Sequence, residues 1–91
     1  AFDTSHGRTL DIVRWLLSPN PKVPGKTYND CGGLMVDTLS VWSAMARERM
    51  EVYLMFLRKI NVLEWKQVKQ SHGSWMLTKG THDLHTKIIG Y

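Results

Sequence analysis

All three prolines of this 91-residue chain, and three of its seven glycines, fall between Pro19 and Gly33. Proline removes a backbone donor and fixes φ, so no regular element can run through that stretch. Asn29 and Asp30 add turn chemistry. Residues 19–33 therefore read as a long connection, expected to act as a spacer, between a short leading helix and a longer trailing region. On the near side, Leu10, Val13, Leu16 and Leu17 repeat at helical spacing, and Ile12 and Trp15 widen the apolar face. Thr9 can cap that helix through its side-chain oxygen, Asp11 suits the positive end of the dipole, and Ser18-Pro19 stops it. The spacing predicts a helix over 9–18 after a flexible polar lead-in over 1–8. Residues 9–91 are expected to form one domain, because a second core would have too little chain.

Beyond the connection, Met35, Leu39 and Trp42 recur about one turn apart, as far as Met45 or Ala46. From Ala46 to Ile60 the pattern tightens. Met50, Tyr53, Leu57 and Ile60 share one face, joined by Phe56, with Arg47, Glu48, Glu51 and Arg58 largely elsewhere. A helix unbroken over 34–60 would exceed the usual globular length of roughly 8–20 residues. Ser40 to Ser43 is the weakest stretch, and a turn there would give a helix-turn-helix. One helix and two both stay open at this point.

Residues 62–79 change period. Val62 to Gln70 alternates imperfectly, Ser71-His72-Gly73-Ser74 is turn chemistry, and Ser74 to Thr78 reads as a second strand. The pattern predicts an antiparallel hairpin, with a helix over 62–70 as the competitor. Leu84, Ile88 and Ile89 make 81–91 a short helix or a third strand. The expected class is mainly α with a small C-terminal β-hairpin.

Several chemistries lack their residues. Gly25-Lys26-Thr27 imitates the end of a phosphate-binding loop, but Asn20 stands where that loop needs its first glycine, and the prolines remove amide donors. Ser5-His6 and Ser71-His72 form no nucleophile elbow, and the carboxylates are scattered. Cys31 is the only cysteine, so no internal disulfide forms, and an intracellular home, cytoplasmic or nuclear, is expected. His82 and His85 sit three apart without the second ligand pair of a structural zinc site. Neither catalysis, metal nor cofactor is expected. The longest apolar run, Val52 to Leu57, is far short of the roughly 20 residues of a membrane span. The chain opens without Met or a signal-peptide pattern, as expected of a domain excised from a longer protein.

Charge is the remaining clue. The net charge is +4. Up to residue 57, Arg8, Arg14, Lys22, Lys26, Arg47 and Arg49 are matched by as many carboxylates. From 58 onward, Arg58, Lys59, Lys66, Lys69, Lys79 and Lys87 face only Glu64 and Asp83. A cationic surplus of this kind attracts phosphate, anionic lipid or an acidic protein.

The order of helix, second helical region, longer helix and basic hairpin resembles the winged helix-turn-helix superfamily of DNA-binding domains. The stretch most similar is 53–80, YLMFLRKINVLEWKQVKQSHGSWMLTKG, with its Leu-rich helix end and its Leu77-Thr78 closure before Gly80. Asn61 replaces the glycine usual between the third helix and the first wing strand. The resemblance implies a third helix in the major groove of duplex DNA, with Arg47 and Arg49 toward phosphate or guanine. It implies a wing bearing Lys66, Lys69, His72 at its tip, and Lys79.

A rival reading starts from Val52 to Leu57, apolar nearly all round a helix. A recognition helix should leave a polar face for DNA, whereas an apolar, Met-rich helix suits a partner protein. On that reading Met50, Leu54 and Met55 form an interface, within a larger assembly or by self-association.

Overall fold

The computed structural model describes residues 6–69 and 72–89, with side chains for 8–67 and 72–84. The order is α1 (His6–Leu16), α2 (Val36–Ser43), α3 (Arg47–Lys59), β1 (Leu63–Lys69), β2 (His72–Leu77) and α4 (Lys79–Ile89). Four helices thus pack with a two-stranded antiparallel sheet.

The first helix starts three residues before the expected 9–18 and ends two residues sooner. Thr9 is therefore inside the helix and caps nothing. Its hydroxyl hydrogen-bonds the Tyr53 hydroxyl of α3. Arg8 donates from Nη1 to the Ser43 carbonyl at 3.0 Å, satisfying one of the acceptors left over at the end of α2. Such contacts with α2 and α3 hold an N-terminal turn that the sequence pattern marks only as polar. Ile12, Val13 and Leu16 supply the buried stripe of α1.

The connection of residues 17–35 is well tied to itself. Tyr28 N–H donates to the Ser18 carbonyl and Asn29 N–H to the Leu16 carbonyl, at 3.1 and 2.7 Å. Asn29 is buried, and its Oδ1 accepts the Leu77 N–H at 2.8 Å, so the connection also holds the hairpin. Leu34 and Trp75 exchange backbone hydrogen bonds of 2.9 and 2.8 Å, an isolated antiparallel bridge beside β2. Gly33 makes that bridge possible. Its φ is +96°, and a β-carbon there would lie 2.8 Å from the Trp75 carbonyl carbon.

Residues 34–60 form two helices. The break falls at 44–46, just after the expected Ser40–Ser43 stretch. Ala44 takes the left-handed conformation, φ 53°, and its N–H bonds back to Ser40 and Val41 carbonyls. Alanine is the best helix former, so this break comes from tertiary packing and not from local preference. The Ser40 hydroxyl fastens it by donating to the Met45 carbonyl. In α3, Met50, Tyr53, Leu54 and Leu57 are buried, the i, i+3, i+4, i+7 set of one helical face. Phe56 and Ile60 do not join them as expected but are exposed.

Asn61 follows α3 with φ 65°, the conformation that its expected glycine would supply and that asparagine tolerates. In the hairpin, Leu63 faces Leu77 and Trp65 faces Trp75. His72 and Gly73 belong to β2, paired with Lys69 and Gln67, and not to the turn expected at 71–74. Residues 70 and 71 lie outside the described residues. The inner ladder face continues the core through Leu63, Trp75 and Leu77. Thr78, buried, closes the hairpin: its hydroxyl donates to the Asn61 carbonyl at 2.9 Å and accepts the Thr81 N–H of α4 at 3.4 Å. The tail is helix, not strand.

Candidate functional site

A helix of 13 residues that fills the core with one face must show the other to water, and α3 shows an unusual one. Val52 is 71% exposed, Met55 52%, Phe56 51% and Ile60 51%. Glu48, Arg49, Glu51, Arg58 and Lys59 surround them and are exposed as well. Val52, Met55, Phe56, Arg58 and Lys59 line a shallow open groove of about 560 Å³. A second recess of about 360 Å³ lies between α3 and the hairpin, walled by Arg47, Glu51, Met55, Arg58, Trp65 and Trp75. Met55 and Arg58 belong to both.

This geometry corrects the expected interface. Met50 and Leu54 are fully buried and cannot reach a partner. Met55 alone of the three is accessible. The run Val52 to Leu57 is not apolar on all sides to one purpose: Tyr53, Leu54 and Leu57 point inward, while Val52, Met55 and Phe56 point out. The sequence signal that finds the outward set is the residue of the inward one. Once 50, 53, 54 and 57 are assigned to the core, 52, 55 and 56 fall opposite, at 100° per residue.

The residues expected at DNA lie on α3, β1, β2 and the start of α4. Arg47 and Arg49, two positions apart, project about 200° from each other around α3. Arg47 bonds Asp37 through Nε at 2.6 Å and lies 3.7 Å from Glu51. The hydrogen bond to Asp37 and the two carboxylates raise its already high pKa, so its charge is largely answered within the domain. Lys66 alternates with Trp65 along β1, and so stands on the ladder face opposite the Trp65 recess, across from Ser74. His72 is exposed at the far end of β2, and Lys79 is exposed beyond its near end, separated by more than the roughly 17 Å that five strand steps span. The side chain of Lys69 lies outside the described residues.

Among the described residues, no group of three or more His, Cys, Asp or Glu side chains could hold a metal ion. Cys31 is exposed, and the side chain of His85 lies outside the described residues. No described helix is long and apolar enough to cross a membrane. No family model, curated protein or solved structure matches the chain.

Proposed function

We propose that this chain is a protein-interaction module, built on a winged-helix-like frame, that docks through the outward face of α3. The observation that carries the reading is the exposure of Val52, Met55, Phe56 and Ile60 on a helix whose core face is already filled. Contiguous exposed apolar side chains rimmed by polar and charged residues are the mark of a protein-interaction site. The frame is supported by the order helix, bridged strand residue, two helices joined by a tight turn, and hairpin. The function is binding without catalysis.

The test uses the full chain and a fluorescent, uncharged amphipathic helical peptide carrying a leucine stripe. Fluorescence anisotropy should show saturable binding that is lost in Met55→Ser/Phe56→Ser. Absence of binding, or binding that the double variant leaves intact, would overturn the reading.

The charge surplus of residues 58–91 favours a second reading, duplex-DNA binding through Arg47, Arg49, Lys66, Lys69, His72 and Lys79. It requires affinity that falls steeply with salt and is abolished by Lys66→Glu with Lys69→Glu. Failure to bind duplex DNA at low salt would end it.

A further inference from the structure

We infer that the occupant of the α3 groove is an acidic amphipathic helix, lying antiparallel to α3 with carboxylates in its first turn; the inference rests on the docking reading above. The groove is not symmetric in charge. At its C-terminal end Arg58 and Lys59 line the same surface as Val52, Met55 and Phe56. Among the described residues neither cation has an ion pair. At its N-terminal end the situation reverses. Glu48 lies on the crest with Val52 and Met55, and Arg47 is engaged by Asp37 and Glu51. Arg49, also exposed there, stands beside Glu48, so a partner meets apolar surface along the middle, mixed charge at the N-terminal end and a net positive charge at the other.

Two kinds of anion could answer Arg58 and Lys59. A phosphate backbone would satisfy the cations and leave Val52, Met55 and Phe56 in water. A helix with an apolar stripe and flanking carboxylates covers both, the recognised helix-in-groove mode with i, i+3, i+4 and i+7 anchors. The orientation follows from electrostatics. Acidic residues are most at ease in the first turn of a helix, where they meet the positive end of its dipole. Placing that turn over Arg58 and Lys59 sets the partner antiparallel. Val52 to Lys59 spans about 10 Å of helix axis, so two to three turns of partner suffice.

Three fluorescent peptides with one common leucine stripe decide the matter. Their first-turn flanks carry glutamate, glutamine or lysine, and each is titrated into the full chain by anisotropy, with circular dichroism confirming the fold of every variant. The glutamate peptide should bind about tenfold more tightly than the lysine peptide at low salt, with the gap closing as salt rises. Arg58→Glu/Lys59→Glu should invert that order, and Phe56→Ser should weaken all three. Equal affinity for the three peptides would overturn the acidic partner and leave the docking face standing. No binding by any of them would overturn both. Binding of duplex DNA or of phosphatidylserine vesicles that Arg58→Glu/Lys59→Glu removes, with the glutamate peptide inert, would assign the cations to phosphate.

Discussion

Gly73→Ala should destabilise the domain by about 1–2 kcal/mol, yet stabilise it slightly once Trp65 has been removed. Gly73 is buried in β2, and an added β-carbon would fall inside the envelope of Trp65 Cζ2, Cε2 and Cη2. The indole cannot yield freely. It meets Trp75 edge-on, ring centroids 5.1 Å apart at 62°, and its Nε1 donates to Gln67 Oε1 at 2.9 Å. Overpacking of this kind costs typically about 1–3 kcal/mol, including an aromatic pair worth roughly 0.5–1.5. Against it stands the entropic gain from replacing glycine, about 0.4–1 kcal/mol where the backbone permits alanine. Gly73 carries no positive φ, so the gain is available and the net is the difference. At roughly 4–8 °C per kcal/mol for a domain of this size, Tm should fall by about 4–16 °C. Thermal and urea unfolding of wild type, Gly73→Ala, Trp65→Ala and the double variant form a complete cycle. In the Trp65→Ala background the alanine should raise stability by about 0.5 kcal/mol. An unchanged Tm in Gly73→Ala, or an equal loss in both backgrounds, would refute the steric argument.

The two faces of α3 should separate in the same assay: Leu54→Ala or Met50→Ala should cost about 2–5 kcal/mol, whereas Met55→Ser and Phe56→Ser should stay within about 0.5 kcal/mol of wild type in urea titrations. Asn29→Ala strands the Leu77 N–H in the interior and should cost about 1–3 kcal/mol, seen as a Tm drop of roughly 5–20 °C. Asp30 accepts the Thr27 N–H and interacts with the Thr27 hydroxyl, which holds its carboxyl below the ordinary 3.8. Its contribution is therefore complete above the unfolded value and lost as pH falls through the folded one. Asp30→Asn should lower stability modestly at neutral pH, converge with wild type near pH 2, and so flatten part of the acid-side fall, checked by denaturant titrations from pH 2 to 7.

The residues that settle their own surroundings were legible. Imperfect alternation around Leu63 and Trp65, the turn residues that follow and the run from Ser74 to Thr78 together point to the hairpin, with a helix over 62–70 as the competitor. Val13 and Leu16 fell where the helical period put them. What escaped the period was set by distant partners. The first turn of α1 follows no apolar pattern, yet Arg8 and Thr9 reach α2 and α3. Ala44 carries no mark of a break, and its left-handed turn is imposed by packing on both sides. The docking face was blurred for a related reason. Six consecutive apolar residues, Val52 to Leu57, leave helical phase ambiguous until the buried set is known. Arg47 looked available because sequence spacing hides Asp37, ten positions earlier.

Residues 20–26 form a small side lobe whose neck is sewn shut, with Asn20 N–H on the Lys26 carbonyl at 2.8 Å and Tyr28 N–H on that of Ser18 at 3.1 Å. From residue 21 to 26 everything beyond the neck is exposed, and none of it touches the core. Length and sequence at that tip are thus uncoupled from the rest of the molecule. It is the place where the chain can lengthen over generations, or accept a grafted epitope or reporter, while α3 and the hairpin keep their positions.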